Sequence, residues 1–383
     1  MPLALIAGAG IGGLAAGLAL RHAGWDVRIF ERADTPRAIG FGLGLAPNAV
    51  AALRELGIAD LVVAQGITPT AVEIRHVDGR LIRRFAGGLA SQRKGDVPSV
   101  ILRPVLHRAL LDAVGPEAIE LNRSVSGFRL DDARVRVALQ DGTSATGDIL
   151  VGADGVGSII RAQLHPEEAP PHSSGYFALR GQSPAIDKLD GLQAIWYFGP
   201  GMESGVIQAS TQAIYWFVSL HAADVTSGPL DVASVMRRCT AGFDRQFHAI
   251  TAATPPEDMR LDELFARRPL DPWGAGAVTL LGDAAHPVLP HTGQGAAQAL
   301  EDAVALGRVM KGGRDHLDAL RRYEHVRSRQ TRRVINSGPR IAAVTTTKNR
   351  LMASLRNAAI RLVPEMVLVK VFTQTGSDPH RGL

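Results

Sequence analysis

The chain has 383 residues, 46% of them hydrophobic, 21% charged and 5% aromatic, the proportions of a soluble globular protein, which exclude disorder and collagen-like repeats. At roughly 100–200 residues per domain the length allows two domains, and the lone Cys239 excludes a disulfide framework and a thiolate zinc site and fits a reducing compartment. The formal charge is +5 and the isoelectric point about 9.7, carried mostly by arginine because the only lysines are Lys94, Lys188, Lys311, Lys348 and Lys370; this balance raises the question of a nucleic-acid or membrane partner.

Residues 2–20 carry no charge, but five glycines interrupt them and no basic residue precedes them as a signal peptide requires. They divide into a buried strand over 3–7, a glycine turn, and a helix over about 11–23. Gly24 and a second strand over 26–31 complete a βαβ unit, which implies parallel pairing. Residues 47–65 read as helix broken at Gly57, and 70–85 as strands around Asp78-Gly79. A helix is predicted over 104–114, and strands over 124–130, 134–140 and 145–151. Between 170 and 270 the aromatics Tyr176, Phe177, Trp196, Tyr197, Phe198, Tyr215, Trp216 and Phe217 fall in short β-like runs; from Pro287 onward the pattern is helical. No stretch is read as a membrane span, and the cytoplasm is the expected location.

Gly8-Ala9-Gly10-Ile11-Gly12-Gly13 fits G-x-G-x-x-G between a strand and a helix. The first glycine permits the tight turn, the second lets backbone approach a pyrophosphate, and the third lets helix pack on strand. The helix N–H groups and dipole then face the phosphates. Glu31 stands 23 positions after Gly8, at the end of the second strand, where a carboxylate can accept from ribose hydroxyls. Two later strands also end in Gly and Asp: Val151-Gly152-Ala153-Asp154-Gly155, with Ser158 and Arg161 following, and Leu281-Gly282-Asp283, leading to His286, Pro290 and Gly293-Gln294-Gly295. Alone, Asp154 reads as a turn residue and Asp283 as a helix cap; together with the glycine turn they indicate a ligand longer than one nucleotide.

These motifs, with Gly42-Leu43-Gly44-Leu45-Ala46-Pro47-Asn48, Glu31-Arg32, Arg103 and Tyr323-Glu324-x-x-Arg327, resemble over residues 3–335 the single-component FAD-dependent aromatic hydroxylases, similar to para-hydroxybenzoate and salicylate hydroxylases. The resemblance implies an α/β fold: a Rossmann-like FAD-binding domain from residues 1–70, 98–172 and 272–330, an inserted β-rich substrate domain from 71–97 and 173–271, and a helical C-terminal section over 331–383. It implies that Glu31 binds the adenosine ribose, that Arg103 contacts FAD, that backbone near Val125 meets the adenine, and that Asp283 holds the ribityl or ribose region. Asp154-Gly155 is linked there to FAD and NAD(P)H pyrophosphate. Pro290 would offer a carbonyl beside the isoalloxazine, and Gly293-Gln294-Gly295-Ala296 would aim helix N–H groups at its pyrimidine. Ala296-Ala297 departs from relatives with Gly or Asn there. The implied reaction has NAD(P)H reduce the flavin and dioxygen form a flavin hydroperoxide, whose outer oxygen passes to a small phenolic or heteroaromatic substrate. An epoxidase, halogenase or dehydrogenase on the same scaffold is the alternative, although Trp196 and Trp216 lack the W-x-W-x-I spacing of flavin halogenases.

No G-x-S-x-G elbow, H-E-x-x-H or Gly-Lys dipeptide occurs, so a serine nucleophile, that zinc motif and a Walker loop are not expected; no metal is expected. No second G-x-G-x-x-G follows a strand, so NAD(P)H should bind transiently. In 214–220, alternation puts Tyr215, Phe217 and Ser219 on one face. Tyr215 is the leading candidate to hydrogen-bond a substrate hydroxyl, against simple sheet packing. His291 is a second pocket candidate, His286 reads as structural, and Arg180, Gln208 and His221 are weaker candidates.

The basic charge concentrates between Arg321 and Arg361, where eleven Lys or Arg residues face one acid, Glu324; residues 1–320 sum to −5. That argues against nucleic acid, since no basic–aromatic interleaving accompanies it. It reads as a solvated helix face or as arginines paired with acids of the body or, more sharply, as attraction for an anionic nicotinamide cofactor or an acidic substrate. A monomer or homodimer without stable membrane insertion is expected.

Overall fold

The computed structural model describes residues 1–35, 40–86, 97–132, 134–312, 315–365 and 367. Parts of the expected segments 71–97 and 331–383 lie outside them, as do Lys94, Lys370, Asp378 and Arg381.

Five parallel strands form the first sheet, in the order Val278–Leu280, Ile149–Gly152, Leu3–Ala7, Asp26–Phe30, Ile119–Glu120. The central strands Leu3–Ala7 and Ile149–Gly152 are apolar on both faces because both are covered: the helix Ile11–His22 packs on one face and buries Leu14, Leu18 and Leu20, and a small antiparallel sheet packs on the other. In register, Ala7 lies beside Gly152 and Phe30, and Gly152 beside Leu280. Motifs from four distant stretches therefore arrive at one carboxyl edge of one sheet.

The expected strand over 145–151 is instead two. Ser144–Gly147 joins an antiparallel sheet with Arg134–Leu139 and Val125–Asp131, and Ile149–Gly152 enters the parallel sheet. Gly147 sits at the corner, where a Cβ would stand 2.7 Å from Leu5 Cγ, and the Asp148 carboxylate accepts from Leu3 N–H at 2.7 Å. Alternation alone does not show a strand changing sheets.

The second large sheet has seven strands, ordered Met259–Ala266, His172–Ser183, Ile214–His221, Met202–Gln208, Ala194–Gly199, Val72–His76, Leu81–Phe85. The short helices Ala222–Val225, Val232–Thr240 and Arg245–Ala252 interrupt the stretch read as β-rich. Two of them start at Asp231 and Asp244, whose carboxylates accept from N–H groups three residues on. Val235, Phe243, Phe247 and Ile250 from this region cover one sheet face together with Ile214, Trp216 and Val218. The opposite face carries Tyr215, Phe217, Ser219 and His221.

The helix Gly295–Met310 packs on Ile11–His22, and His316–Thr345 runs unbroken through residue 331, where a separate C-terminal section was expected to start. Arg350–Leu362 follows. No helix among the described residues is long and apolar enough to cross a membrane.

Gly147→Val should overpack the corner and cost about 1–3 kcal/mol of unfolding free energy in urea titrations; an unchanged midpoint and slope would show that the corner is not tightly packed.

Candidate active site

The glycine turn is built by sterics. At Gly8, φ is +100° and a Cβ would lie 2.6 Å from Ala153 O, so the turn is locked against the neighbouring strand. Above Gly10 a Cβ would meet nothing within 4 Å, leaving bare backbone facing open space. Glu31 closes the turn: its Oε2 accepts from Ala9 N–H at 2.9 Å and its Oε1 from Ala33 N–H at 3.0 Å. His107 braces it from below, donating from Nε2 to Ala9 O at 2.8 Å. Burial pushes the His107 imidazole down from its ordinary range, so it stays neutral. Nothing in a lone histidine within a helix pattern marks this role. Arg123 N–H bonds to Glu31 O at 2.8 Å, which brings the start of the strand holding Val125 beside Glu31. Arg32 is on the same connection, two residues past the strand Asp26–Phe30.

Asp154 caps the helix Ile159–Leu164, its Oδ2 accepting from Ile159 N–H at 2.8 Å, while its Oδ1 is buried with no partner. Burial raises this carboxyl above its ordinary range. Beside it Gly155 has φ +81° and open space at the Cβ position. Arg161, fully buried, donates to Ala284 O at 3.0 Å and Ala285 O at 2.9 Å and pairs with Glu168. One strand end is thereby tied to the next.

Asp283, on that turn, is reachable by water yet ringed by protein, as on the floor of a cleft. Burial raises its carboxyl, opposed by the charges of His286 and Arg103. Arg103 lies across from it with its backbone N–H on Phe41 O at 2.8 Å and its side chain over Gly40. Burial lowers its guanidinium, and Asp283 supports the charge. Gly42, in the strand Gly42–Leu45, lies directly against the Tyr215 ring. Pro290 opens a short turn through Thr292; Gly293 (φ +62°) and Gln294 follow, and Gly295 and Ala296 start the helix.

A buried polar network underlies this turn. Arg327 donates to Asp302 Oδ1 at 2.6 Å, Glu301 Oε2 at 2.9 Å and Gln298 Oε1 at 2.9 Å. Asp302 Oδ2 accepts from Gly282 N–H at 2.9 Å and contacts His286 Nε2 at 2.5 Å. Although burial opposes it, His286 and Arg327 hold the Asp302 carboxyl at about 2. Asn48 donates to Gln294 Oε1 at 3.0 Å and Glu301 Oε1 at 2.6 Å. Tyr323 donates to Leu280 O at 3.1 Å, and Glu324 accepts from Thr279 at 2.7 Å. Thus Asn48 and the Tyr-Glu-x-x-Arg pattern, motif residues without an assigned task in the sequence, are the bolts of the site.

Tyr215 stacks on Phe217 at 5.8 Å and shares a sheet face with Arg180, which stands opposite Phe217. Burial raises its phenol. His291 contacts Ser219 Oγ through Nε2 at 2.7 Å and meets the Tyr176 ring at 5.1 Å. Burial, aided by His221, lowers the imidazole to about 4. His221 instead donates to Thr346 O at 2.8 Å. Gln208 is a correction: it stands opposite Ile214 and therefore shares the face away from Tyr215. The described residues include no group of three or more His, Cys, Asp or Glu that could hold a metal.

The edge fits an extended dinucleotide. Open backbone at Gly10 and Gly155 suits phosphate approach, and the unpartnered Asp154 oxygen and Asp283 carboxylate suit hydroxyl donors of a ribityl or ribose chain. The FAD binding domain family matches residues 3–337. The chain is 34% identical to the aurachin C monooxygenase/isomerase of Stigmatella aurantiaca over 94% of each chain. It is 32% identical to the 6-hydroxynicotinate 3-monooxygenase of Bordetella bronchiseptica over 87% of this chain and 89% of that one. The crystal structure of Klebsiella pneumoniae HpxO complexed with FAD and uric acid superposes with a TM-score of 0.89 at 27% identity, covering 98% and 96% of the two chains.

Arg327→Met should cost about 3–5 kcal/mol of stability by stranding two buried carboxylates, and Arg327→Lys should not restore it because an ammonium cannot span both acids; urea unfolding of the three proteins measures this. His291 carries a pH signature: with its pKa near 4 folded and about 6.5 unfolded, the unfolded chain binds the extra proton between those values. Stability should therefore fall as pH drops from 6.5 to 4, and His291→Asn should make that fall shallower; equal slopes would contradict the burial of this imidazole. Sheet edge, cleft and relatives converge on one assignment: the chain belongs to the family of FAD-dependent aromatic hydroxylases.

Proposed function

We propose that the enzyme uses NADH or NADPH and dioxygen to hydroxylate a small, electron-rich aromatic or heteroaromatic ring carrying hydroxyl or amino groups. The observation that carries this reading is the meeting of two surfaces. The Tyr215–Phe217–Ser219 face of the seven-stranded sheet is joined to the FAD-binding part through the Tyr215–Gly42 contact and the His291–Ser219 hydrogen bond. Relatives named for 6-hydroxynicotinate and for 3-amino-4-hydroxybenzoate support the substrate class.

In this reading Gly8, Gly10, Ile11, Gly12 and Gly13 hold the diphosphate, Glu31, Arg32 and the backbone near Val125 the adenosine, and Arg103, Asp154, Gly155, Gly282 and Asp283 the middle of the cofactor. Gly42, Pro290 and Gly293-Gln294-Gly295-Ala296 surround the isoalloxazine, and the helix start offers N–H donors to negative charge on its pyrimidine. FAD, when bound, supplies the two-electron carrier and the activation of oxygen. The protein's share is positioning. Phe217 and Tyr215 set the plane of the ring, the Tyr215 phenol, kept protonated by burial, donates to a substrate oxygen, and the sheet excludes water. His291 is neutral at physiological pH, so it acts as a fixed polar contact and not as a cation.

Asp283→Ala should weaken FAD binding at least tenfold in fluorescence titrations; unchanged affinity would remove Asp283 from the cofactor site. Tyr215→Phe should retain FAD and lower kcat/KM for a phenolic substrate by roughly tenfold or more, mostly through KM. NAD(P)H oxidation and oxygen uptake over a panel of hydroxylated and aminated aromatics identify the substrate; oxidation ending only in peroxide across the panel would contradict the reading.

A further inference from the structure

The helix Arg350–Leu362 is amphipathic in an unusual sense. Its inward side is anchored: Ala353 is buried, Ile360 packs against the cluster of Val72, Ile74 and Phe198, and the Arg356 guanidinium lies 4.8 Å over the Phe198 ring. Arg83 also donates to Arg361 O at 2.9 Å. Its outward side is apolar as well. Leu351, Leu355, Ala358 and Leu362 follow the four- and three-residue steps that place side chains on one stripe, with Met352 and Ala359 beside it. Leu351 is 68% exposed, Met352 53%, Leu355 54% and Leu362 84%, and Val344 on the preceding helix is exposed too. Residues 339–363 contain five basic residues, Arg340, Lys348, Arg350, Arg356 and Arg361, and no acid. Arg356 is turned inward and Lys348 pairs with Asp224 at 2.8 Å; among the described residues Arg350 and Arg361 are exposed cations on the same helix as the stripe, and Arg340 is exposed on the preceding helix, one turn before Val344.

We propose that this helix docks the enzyme on the surface of an anionic lipid bilayer, its apolar stripe entering the headgroup region and its arginines meeting lipid phosphates. An apolar stripe flanked by arginine is the pattern of an interfacial helix, and juxtaposed basic residues add attraction to anionic headgroups. Thirteen residues are too few to span the roughly 20-residue hydrocarbon core, so the contact is peripheral. A second copy of the chain fits less well. A symmetric helix-on-helix contact would press two acid-free basic stretches together. A helix about 20 Å long also offers far less than the ~800 Å² per partner of a stable interface.

The test is co-sedimentation of the FAD-loaded full chain with phosphatidylcholine vesicles, with and without phosphatidylglycerol, at low and high salt. The expected result is binding at least tenfold stronger to the anionic vesicles, weakened by salt. It should be lost in Leu351→Ser/Leu355→Ser/Leu362→Ser and reduced in Arg350→Glu/Arg361→Glu. Unchanged FAD content and thermal midpoint show that these outward-facing changes leave the fold intact. Absence of binding to anionic vesicles at low salt would overturn the proposal, as would binding that survives the serine variant. Light scattering on the same samples identifies a second copy as occupant if dimers form without lipid and vanish in the serine variant. A chain ending at residue 365 that alone gains vesicle binding would identify residues 366–383 as the natural cover, and would equally overturn it.

Discussion

The site depends on one buried guanidinium. Arg327 reaches from the helix His316–Thr345 into the start of the helix Gly295–Met310, where two adjacent acids and the Gln298 side chain receive it. Asp302 then uses its other oxygen to hold the Gly282 N–H and His286, and Glu301 uses its own to hold Asn48. Through these links one cation sets the spacing between the Gly282-Asp283 turn, the helix start after Gly293 and the chain after Gly42. In the proposed reading the first of these segments holds the middle of the cofactor and the other two flank its isoalloxazine. Two carboxylates side by side in a dry interior repel; the shared arginine offsets that repulsion and holds both in one arrangement.

The rest of the cofactor edge follows from the parallel register. Gly8, Glu31, Asp154 and Asp283 are spread over most of the chain, yet each stands just beyond a strand end in one five-stranded sheet. The edge is stiffened by ties between neighbours: Glu31 to the glycine turn, His107 to Ala9, and Arg161 to the backbone of Ala284 and Ala285. Such cross-links cost binding little entropy, because the donors and open backbone are in place before a ligand arrives. The β-sheet half contributes a flat aromatic face, and its single-residue alternation decides which groups can meet a substrate. Tyr215 and Arg180 are on the cleft side, and Gln208 is turned away.

Much of this is legible in the sequence, for a physical reason. Glycines at a strand–helix turn and acids at strand ends are demanded locally, by sterics and by hydrogen bonding, so their spacing survives in the linear pattern. The alternation around Tyr215 is local too. What the pattern does not carry is pairing across distance. Asn48 meets Glu301 over 253 positions and Arg161 meets Ala284 over 123, and although Asn48 and Arg161 stand in motifs, nothing local names their partners. The corner at Gly147-Asp148 is hidden because both strands alternate acceptably and only contact with Leu3 and Leu5 forces the break. The helices over 222–252 are short and follow the aromatic run ending at Phe217, so the whole stretch reads as β-rich; the aspartates that start two of them, Asp231 and Asp244, mark them only once the structure is in hand.

The charge asymmetry that first suggested a partner has a place in this picture. Some of the charge on the arginine-rich helices is neutralised internally, in Arg327 above all, and some faces outward on the helix Arg350–Leu362. The central claim remains chemical: one atom of dioxygen passes to an aromatic ring held on the Tyr215 face and the other leaves as water, with NAD(P)H supplying the two electrons. Turnover of the FAD-loaded enzyme with its substrate under isotopically heavy dioxygen tests this most directly. The account predicts one heavy oxygen atom in the product, with one equivalent of NAD(P)H consumed. A product whose added oxygen comes from water, or an oxidised product with no added oxygen, would contradict it.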